Sequence, residues 1–356
     1  MNIAYASRER TLGQRWRALL AENPGLRIRN AAARLGVSEL ELLLTREQGV
    51  DALTPDFGAL LSELDPVGDV MILTRNDQVV HEVTGAFRKF TVTGRGTMGL
   101  AVGDIDVRAF LNNWAYGYLV REDSGGHSRQ SLQFFDSYGR AIHKIYMTDA
   151  TDRAAWDDLL SRYLDPRAEA PELEAAPEPE PRTSPDSVDV AALRKDWSGL
   201  KDVHHFHAML KRNQVDRMTA LELVGDAWVR PLESEPEGEN CALDHLLMQV
   251  WDSQCPVMVF VGNRGMVQIF TGTVTRLLRT GPWMNVLDKG FSLHADTHHI
   301  TRWFVVRRPS ADGIVTSVEG YNRDGELVIT LFGKRKPGQP ESHHWQQEVA
   351  RLEEEL

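Results

Sequence analysis

Three histidines stand close together in the segment DVHHFHAMLKRN: His204, His205 and His207. Neutral imidazole binds transition metals through one ring nitrogen while the other donates a hydrogen bond. Asp202, just before them, is of the type that caps a helix N-terminus. At about 100° per residue, a helix starting here gathers Val203, Phe206 and Leu210 into one apolar stripe. It sets His204 and His207 on the stripe's edge, about 60° apart, and turns His205 away. His204 is therefore the best-placed ligand, and Ala208, one turn on, keeps the surface low enough for a flat group to approach. Read alone, the cluster stays open between metal or cofactor ligation and imidazoles that are solvated or satisfied in a core.

Other chemical signals weigh less. Gly94, Gly96 and Gly99 spell GxGxxG, but the LAVGDIDVR that follows reads as strand, whereas a phosphate-binding fingerprint opens a helix. Cys241 and Cys255 are the only cysteines and lack CxxC or CxxCH spacing, which fits a reducing compartment without disulfide, zinc or covalent cofactor. His81 in VVHEV reads as a structural strand histidine, with a second ligand contact as the alternative. His298, His299, His343 and His344 lack a third ligand and read as surface. RNAAARLGVSELELLLTR imitates a helix-turn-helix with Gly36 in the turn. Its second helix would bring Glu39 and Glu41 to phosphates where Lys and Arg are needed, although Arg27, Arg29 and Arg34 keep DNA binding open as a minor reading.

These residues belong to a chain of 356 residues, long enough that two domains are the default. With 42% hydrophobic and 26% charged residues it has the composition of an ordinary globular protein. A net charge of −11 speaks against a general binder of nucleic acid or anionic membrane. Much of that charge is local: from Asp165 to Val190 there are eight acidic and two basic residues, a net of −6. No stretch approaches the roughly 18 apolar residues of a membrane span. The N-terminal segment, basic at Arg8, Arg10 and Arg15, lacks the apolar core of a leader, so a cytoplasmic protein without membrane insertion is expected.

The sequence repeats itself. VMILTRNDQVVHEVTG, residues 70–85, aligns without gaps to VMVFVGNRGMVQIFTG, residues 257–272, with six of sixteen positions identical. The same offset within one residue pairs 131–147 with 317–333, and both copies end near a tryptophan, Trp156 and Trp345. The chain thus reads as two homologous halves, 1–164 and 188–356. Residues 165–187 between them hold six prolines among Glu and Ala, a solvated linker. Each half runs helices first, then strands. Ile28–Arg34 and Glu39–Arg46 read as short helices, the second opened by a Ser38–Glu41 capping box. The runs MILT, VVHEV, VMVFV and VQIFTG, separated by N-D and N-R-G turns, read as an antiparallel meander. The predicted fold class is α+β: two duplicated domains, each a large antiparallel β-sheet flanked by helices, stacked or joined edge to edge.

The segments DVHHFHAMLKRN, VMVFVGNRGMVQIFTGTV and DGIVTSVEGYNRDG, with RNDQVVHEVTG and DIDVRAFLNNW in the first half, resemble the HemS/ChuS/PhuS (HmuS) family of bacterial cytoplasmic heme-handling proteins. The resemblance covers nearly the whole chain, duplication included. It implies heme b held noncovalently in a cleft between the halves, for use as an iron source. Carried over by position, the family's axial histidine, the metal ligand, falls on His204. The distal arginine of its I-D-x-R-x-F motif falls on Arg108, with Phe110 as an apolar contact on the porphyrin. Guanidinium stays protonated, so Arg108 is expected to bond iron-bound water or hydroxide, leaving one strong protein ligand and a heme transferable by ligand exchange. Propionate partners fall on Arg217, Arg308 and Arg335, all capable of bidentate contacts, with Arg308 standing where lysine is common. Thr330 and Phe332 stand where relatives often carry Gln and Tyr. His205 and His207 are extra imidazoles and alternative ligands during heme entry or exit. Phe260 is a pocket wall or a core residue.

Three functions follow from the resemblance and the residues. The favoured one is a heme chaperone that accepts heme from an inner-membrane transporter and delivers it to a heme oxygenase, as monomer or dimer. The second is a heme-degrading enzyme using external reductant and O2, with Arg108 as its catalytic residue. The third is a heme-responsive DNA-binding regulator. The sequence shows no flavin motif, reductase module or iron–sulfur cysteine set, which tilts the choice towards transfer.

Overall fold

Residues alternating between apolar and polar, rich in Val, Ile and Phe, form strands whose pairings are antiparallel throughout the described residues. The computed structural model describes residues 11–124, 127–238, 240–336 and 338–356. Arg8 and Arg10 lie outside them. The strands make two nine-stranded sheets. Across the first, the order is Val50–Ala52, Tyr116–Ser124, His127–Phe135, Ala141–Thr151, Gly68–Arg75, Val79–Ala86, Phe291–Asp296, Trp283–Asp288 and Leu277–Thr280. Across the second it is Val229–Leu232, Arg302–Ser310, Gly313–Tyr321, Leu327–Gly333, Val257–Gly262, Met266–Gly272, Asp106–Phe110, Met98–Ala101 and Thr91–Thr93.

The two orders correspond strand for strand, and each sheet takes its last three strands from the other half of the chain. Asp106–Phe110 pairs with Met266–Gly272, and Phe291–Asp296 pairs with Val79–Ala86. This exchange carries the residues around Arg108 into the sheet of the second half.

The sheets meet through the repeated hairpins. Val70 and Ile72 of one, and Val257, Val259 and Val261 of the other, are buried in a single core that also takes in Trp156 and Trp345. Burying each such valine stabilises the fold by about 1.5 kcal/mol or more. At the centre, Gln268 Nε2 donates to His81 Nδ1 at 2.9 Å, and His81 Nε2 donates to the Val259 carbonyl at 3.3 Å. His81 and Gln268 occupy equivalent positions of the repeat, so this contact lies on its pseudo-twofold axis. Burial pushes the His81 imidazole down to about 3, so it is neutral and structural. The turn asparagines cross-link the halves in the same symmetric way. Asn76 Nδ2 donates to the carbonyls of Gly262 and Val328, and Asn263 Nδ2 to those of Arg75 and Ile142.

Helices Ile28–Leu35 and Glu39–Leu43 precede the strands of the first half, and the Ser38–Glu41 capping box forms. The second of these helices stops short of Arg46. Glu39, read from the sequence as a charge the second helix would turn outward, is instead buried in an ion pair with Lys144 at 2.5 Å, while Leu40, Leu42 and Leu43 pack inward. The helix that would read DNA therefore spends its apolar face on the sheet. In the linker, Tyr116 Oη donates to the Glu172 carbonyl and Ser137 Oγ to Glu174, and at the other end Thr183 bonds Asp216. Proline-rich as it is, the segment is pinned at both ends. No helix among the described residues is long and apolar enough to cross a membrane.

Candidate functional site: an exposed histidine beside a two-half sheet face

Asp202 caps the turn that carries His204, as its position before the histidines implied. Its Oδ1 accepts the His204 backbone N–H at 2.9 Å and lies 2.7 Å from His204 Nδ1. Val203–His205 is a 3-10 turn, and the α-helix begins at Phe206 and runs to Arg212. The tightened turn leaves the His204 side chain 86% exposed. A carboxylate accepting from Nδ1 fixes the tautomer that leaves a lone pair on Nε2, the arrangement of a ligating histidine with its supporting carboxylate. Hydrogen bonds from the His204 backbone and then its ring hold the Asp202 carboxyl below the usual range. Below the turn, Phe206, Met209 and Leu210 are buried, and Phe206 meets Trp197 edge-on at 4.9 Å. His205 and His207 are exposed.

Directly opposed residues of antiparallel strands share a face, as do residues i and i+2 of one strand. One row of opposed residues crosses the second sheet as Phe304, Glu319, Thr330, Phe260, Ile269 and Asp106. Arg108 and Phe110 follow Asp106 on this face, Phe332 follows Thr330, and Arg308 lies two steps along from Val306, which follows Phe304. Candidates taken from both halves of the sequence thus occupy one face of one sheet. Phe260 and Phe332 touch at 5.1 Å between ring centres. Arg108 Nη1 is 2.5 Å from Asp106 Oδ1 and the side chain is one-third exposed.

The three arginines assigned to propionates separate into two groups. Arg308, 4% exposed, sets Nη1 2.8 Å from Glu319 Oε1, and Arg217 sets Nη1 3.5 Å from Glu319 Oε2. Arg335 lies apart, 3.5 Å from Asp312. Arg308 keeps two buried donors, Nε and Nη2, without a partner, an arrangement an incoming carboxylate would relieve. Glu319 and Asp106 were not singled out by sequence reasoning. Asp106 carried a signal, since it stands two before Arg108 in a strand pattern, whereas nothing distinguishes Glu319 in SVEGY from a solvent-facing strand residue.

The equivalent row in the first sheet is Tyr118, Gln133, Lys144, Leu73, Glu82 and Ser292. By the same register His294 stands where the second sheet has Arg108. Lys144, in place of Thr330, is tied to Glu39 of the helix above. The duplicated scaffold has therefore been given different side chains on its two faces.

Of the four histidines read as surface, His343 is exposed, and His298, His299 and His344 pair with Glu237, Asp296 and Glu348. Cys241 and Cys255 are buried free thiols. The strand Met98–Ala101 begins within the GxGxxG segment and takes in Gly99. Among the described residues no group of three or more His, Cys, Asp or Glu side chains is placed to hold a bare metal ion.

A family model, the haemin-degrading HemS.ChuX domain, matches residues 36–163 and again residues 214–352. The chain belongs to the HemS/ChuX family. The two matches reproduce the internal duplication. Among its relatives, the hemin transport protein HmuS of Yersinia pestis is 38% identical over 344 residues, 96% of this chain and 97% of that one. The crystal structure of holo-PhuS, a heme-binding protein from Pseudomonas aeruginosa, superposes with a TM-score of 0.90 at 42% identity, covering 95% of this chain and 97% of that one. ChuS, described as an E. coli heme oxygenase, gives 0.84 at 33% identity, covering 96% and 99%.

Proposed function

We propose that this protein binds one heme b noncovalently through His204 and relays it within the cytoplasm, from an inner-membrane transporter to a heme oxygenase. The observation that carries this reading is the Asp202–His204 pair, which leaves an exposed, lone-pair-bearing Nε2 at the head of a helix packed over the second sheet. That sheet's outer face bears Arg108 from the other half. Family membership and the hemin-transport name of the Yersinia relative agree with it.

Within this reading each residue has a task. His204 ligates the iron, and Asp202 orients it. Arg108, held by Asp106, supplies a cationic donor on the opposite side, with Phe110, Phe260 and Phe332 as apolar wall. Arg217, Arg308 and Arg335 receive the propionates, and Thr330 offers a hydroxyl where relatives often have an amide. His205 and His207, exposed on the same turn and helix, are relay ligands during entry and exit. A single strong protein ligand keeps the cargo exchangeable.

The ChuS likeness favours a second reading, heme degradation by this chain itself with electrons from outside. One experiment separates the two. The heme complex is given O2 and a reductase system with catalase present, and then a heme oxygenase. Soret decay that waits for the oxygenase supports relay, whereas decay to a tetrapyrrole without it, despite catalase, overturns relay in favour of catalysis.

A further inference from the structure

We infer that Glu319 is a positioning residue for His204, acting through Phe206; this rests on His204 being the heme ligand. Glu319 is 1% exposed, and both of its carboxylate oxygens are fully engaged. Oε1 lies 2.8 Å from Arg308 Nη1 and accepts from Ser317 Oγ at 2.9 Å. Oε2 accepts from Tyr321 Oη at 2.5 Å and lies 3.5 Å from Arg217 Nη1. The two guanidiniums held this way share a second contact. Arg308 Cζ is 4.2 Å, and Arg217 Cζ 5.2 Å, from the centre of the Phe206 ring. Phe206 is the first residue of the helix after the His204 turn, and its backbone N–H bonds the Val203 carbonyl.

The chain of contacts therefore runs from a sheet carboxylate, through two cations, to one ring, and from that ring across two residues to the exposed imidazole. An exposed side chain on a one-turn 3-10 segment is held mainly by what anchors the segment's ends. Asp202 anchors one end and Phe206 the other. Burial works against the Glu319 charge, yet Arg308 and then Arg217 hold its carboxyl down at about 2, so the network is ionised at neutral pH. Removing that charge leaves the buried Arg308 guanidinium uncompensated and takes from the one-third-exposed Arg217 its carboxylate partner, so both lose the contact that fixes their place. The Phe206 ring, which both cations contact, then loses part of its seat. Glu319 thus joins the ligand end of the site to the arginines assigned to the propionates.

Hemin dimethyl ester, which has no propionate charge, isolates the ligand end. The test loads it onto wild type, Glu319→Gln and His204→Ala, reading the ligation spectrum and the rate of loss to an apomyoglobin scavenger. The expected result for Glu319→Gln is loss about 10-fold faster than wild type, as for other groups that orient a metal ligand. Its spectrum should shift towards that of His204→Ala and be restored by added imidazole. An ester complex of Glu319→Gln identical to wild type in both readouts overturns the inference. If His204→Ala itself matches wild type, the ligand assignment fails instead. Should Glu319→Gln not fold, Phe206→Leu keeps an apolar side chain in the core but removes the ring face, and the same shift is expected from it.

Discussion

Asp202 performs two tasks with one oxygen, and two substitutions separate them. Its Oδ1 caps the turn by accepting the His204 N–H and orients the imidazole through Nδ1. Asp202→Asn keeps an acceptor for the cap and loses the charge that makes Nδ1 a firm donor. Asp202→Ala loses both. Removing an N-cap costs about 1 kcal/mol, and removing the partner of a metal-bound histidine costs about 10–100-fold in affinity. Asp202→Ala should therefore unfold a few degrees earlier at most and weaken heme binding by 10-fold or more, roughly 1.4 kcal/mol per tenfold. Asp202→Asn should lose affinity while its unfolding midpoint stays at wild type. The assay pairs a Soret titration against a competing apoprotein with a urea melt of the heme-free chain. Wild-type affinity and spectrum in Asp202→Ala would refute the reasoning, because the pair would then be only a surface contact.

Three further outcomes are expected. Arg108→Ala should change the spin state of the heme complex, read by its visible charge-transfer bands, more than its affinity, since a protonated guanidinium tunes the far side without ligating. The Glu319 carboxyl, held at about 2 against an ordinary 4.5, contributes stability that is present above about pH 4.5 and lost as pH falls towards 2; urea melts across that range should show the loss, and Glu319→Gln, though less stable at neutral pH, should show a shallower one. Cleaving the linker between the Glu174 and Thr183 anchors should leave the two fragments together on gel filtration with heme affinity intact, because strands are exchanged between halves.

Much of this was legible in the chain because it rests on local rules. The repeat marked the duplication, the N-D and N-R-G turns marked the central hairpins, and Asp202 before a histidine run marked the turn that presents His204. The strand exchange was not legible. Strands 91–110 and 277–296 carry the same alternation whichever sheet they close, and only the register of Asp106–Phe110 on Met266–Gly272 decides it. Arg108 therefore reached the second half's sheet for a reason no local pattern contains. Glu319 was hidden for a related cause: period-two alternation tells which face a residue takes, but not whether a helix covers that face. Arg308 and Arg217 were found by position, yet their inward pairing depends on Phe206 arriving from another element. On the other side, Glu39 looked like a charge offered to solvent until Lys144 met it.

The central claim is that His204 Nε2 is the protein's bond to heme iron. Resonance Raman and Soret spectra of hemin bound to wild type and to His204→Ala, with and without free imidazole, test it most directly. The account predicts that His204→Ala loses the wild-type ligation signature and that imidazole restores it, with His205 and His207 intact throughout. A His204→Ala complex spectrally identical to wild type, or one that loses its signature only when His205 or His207 is also removed, would contradict it.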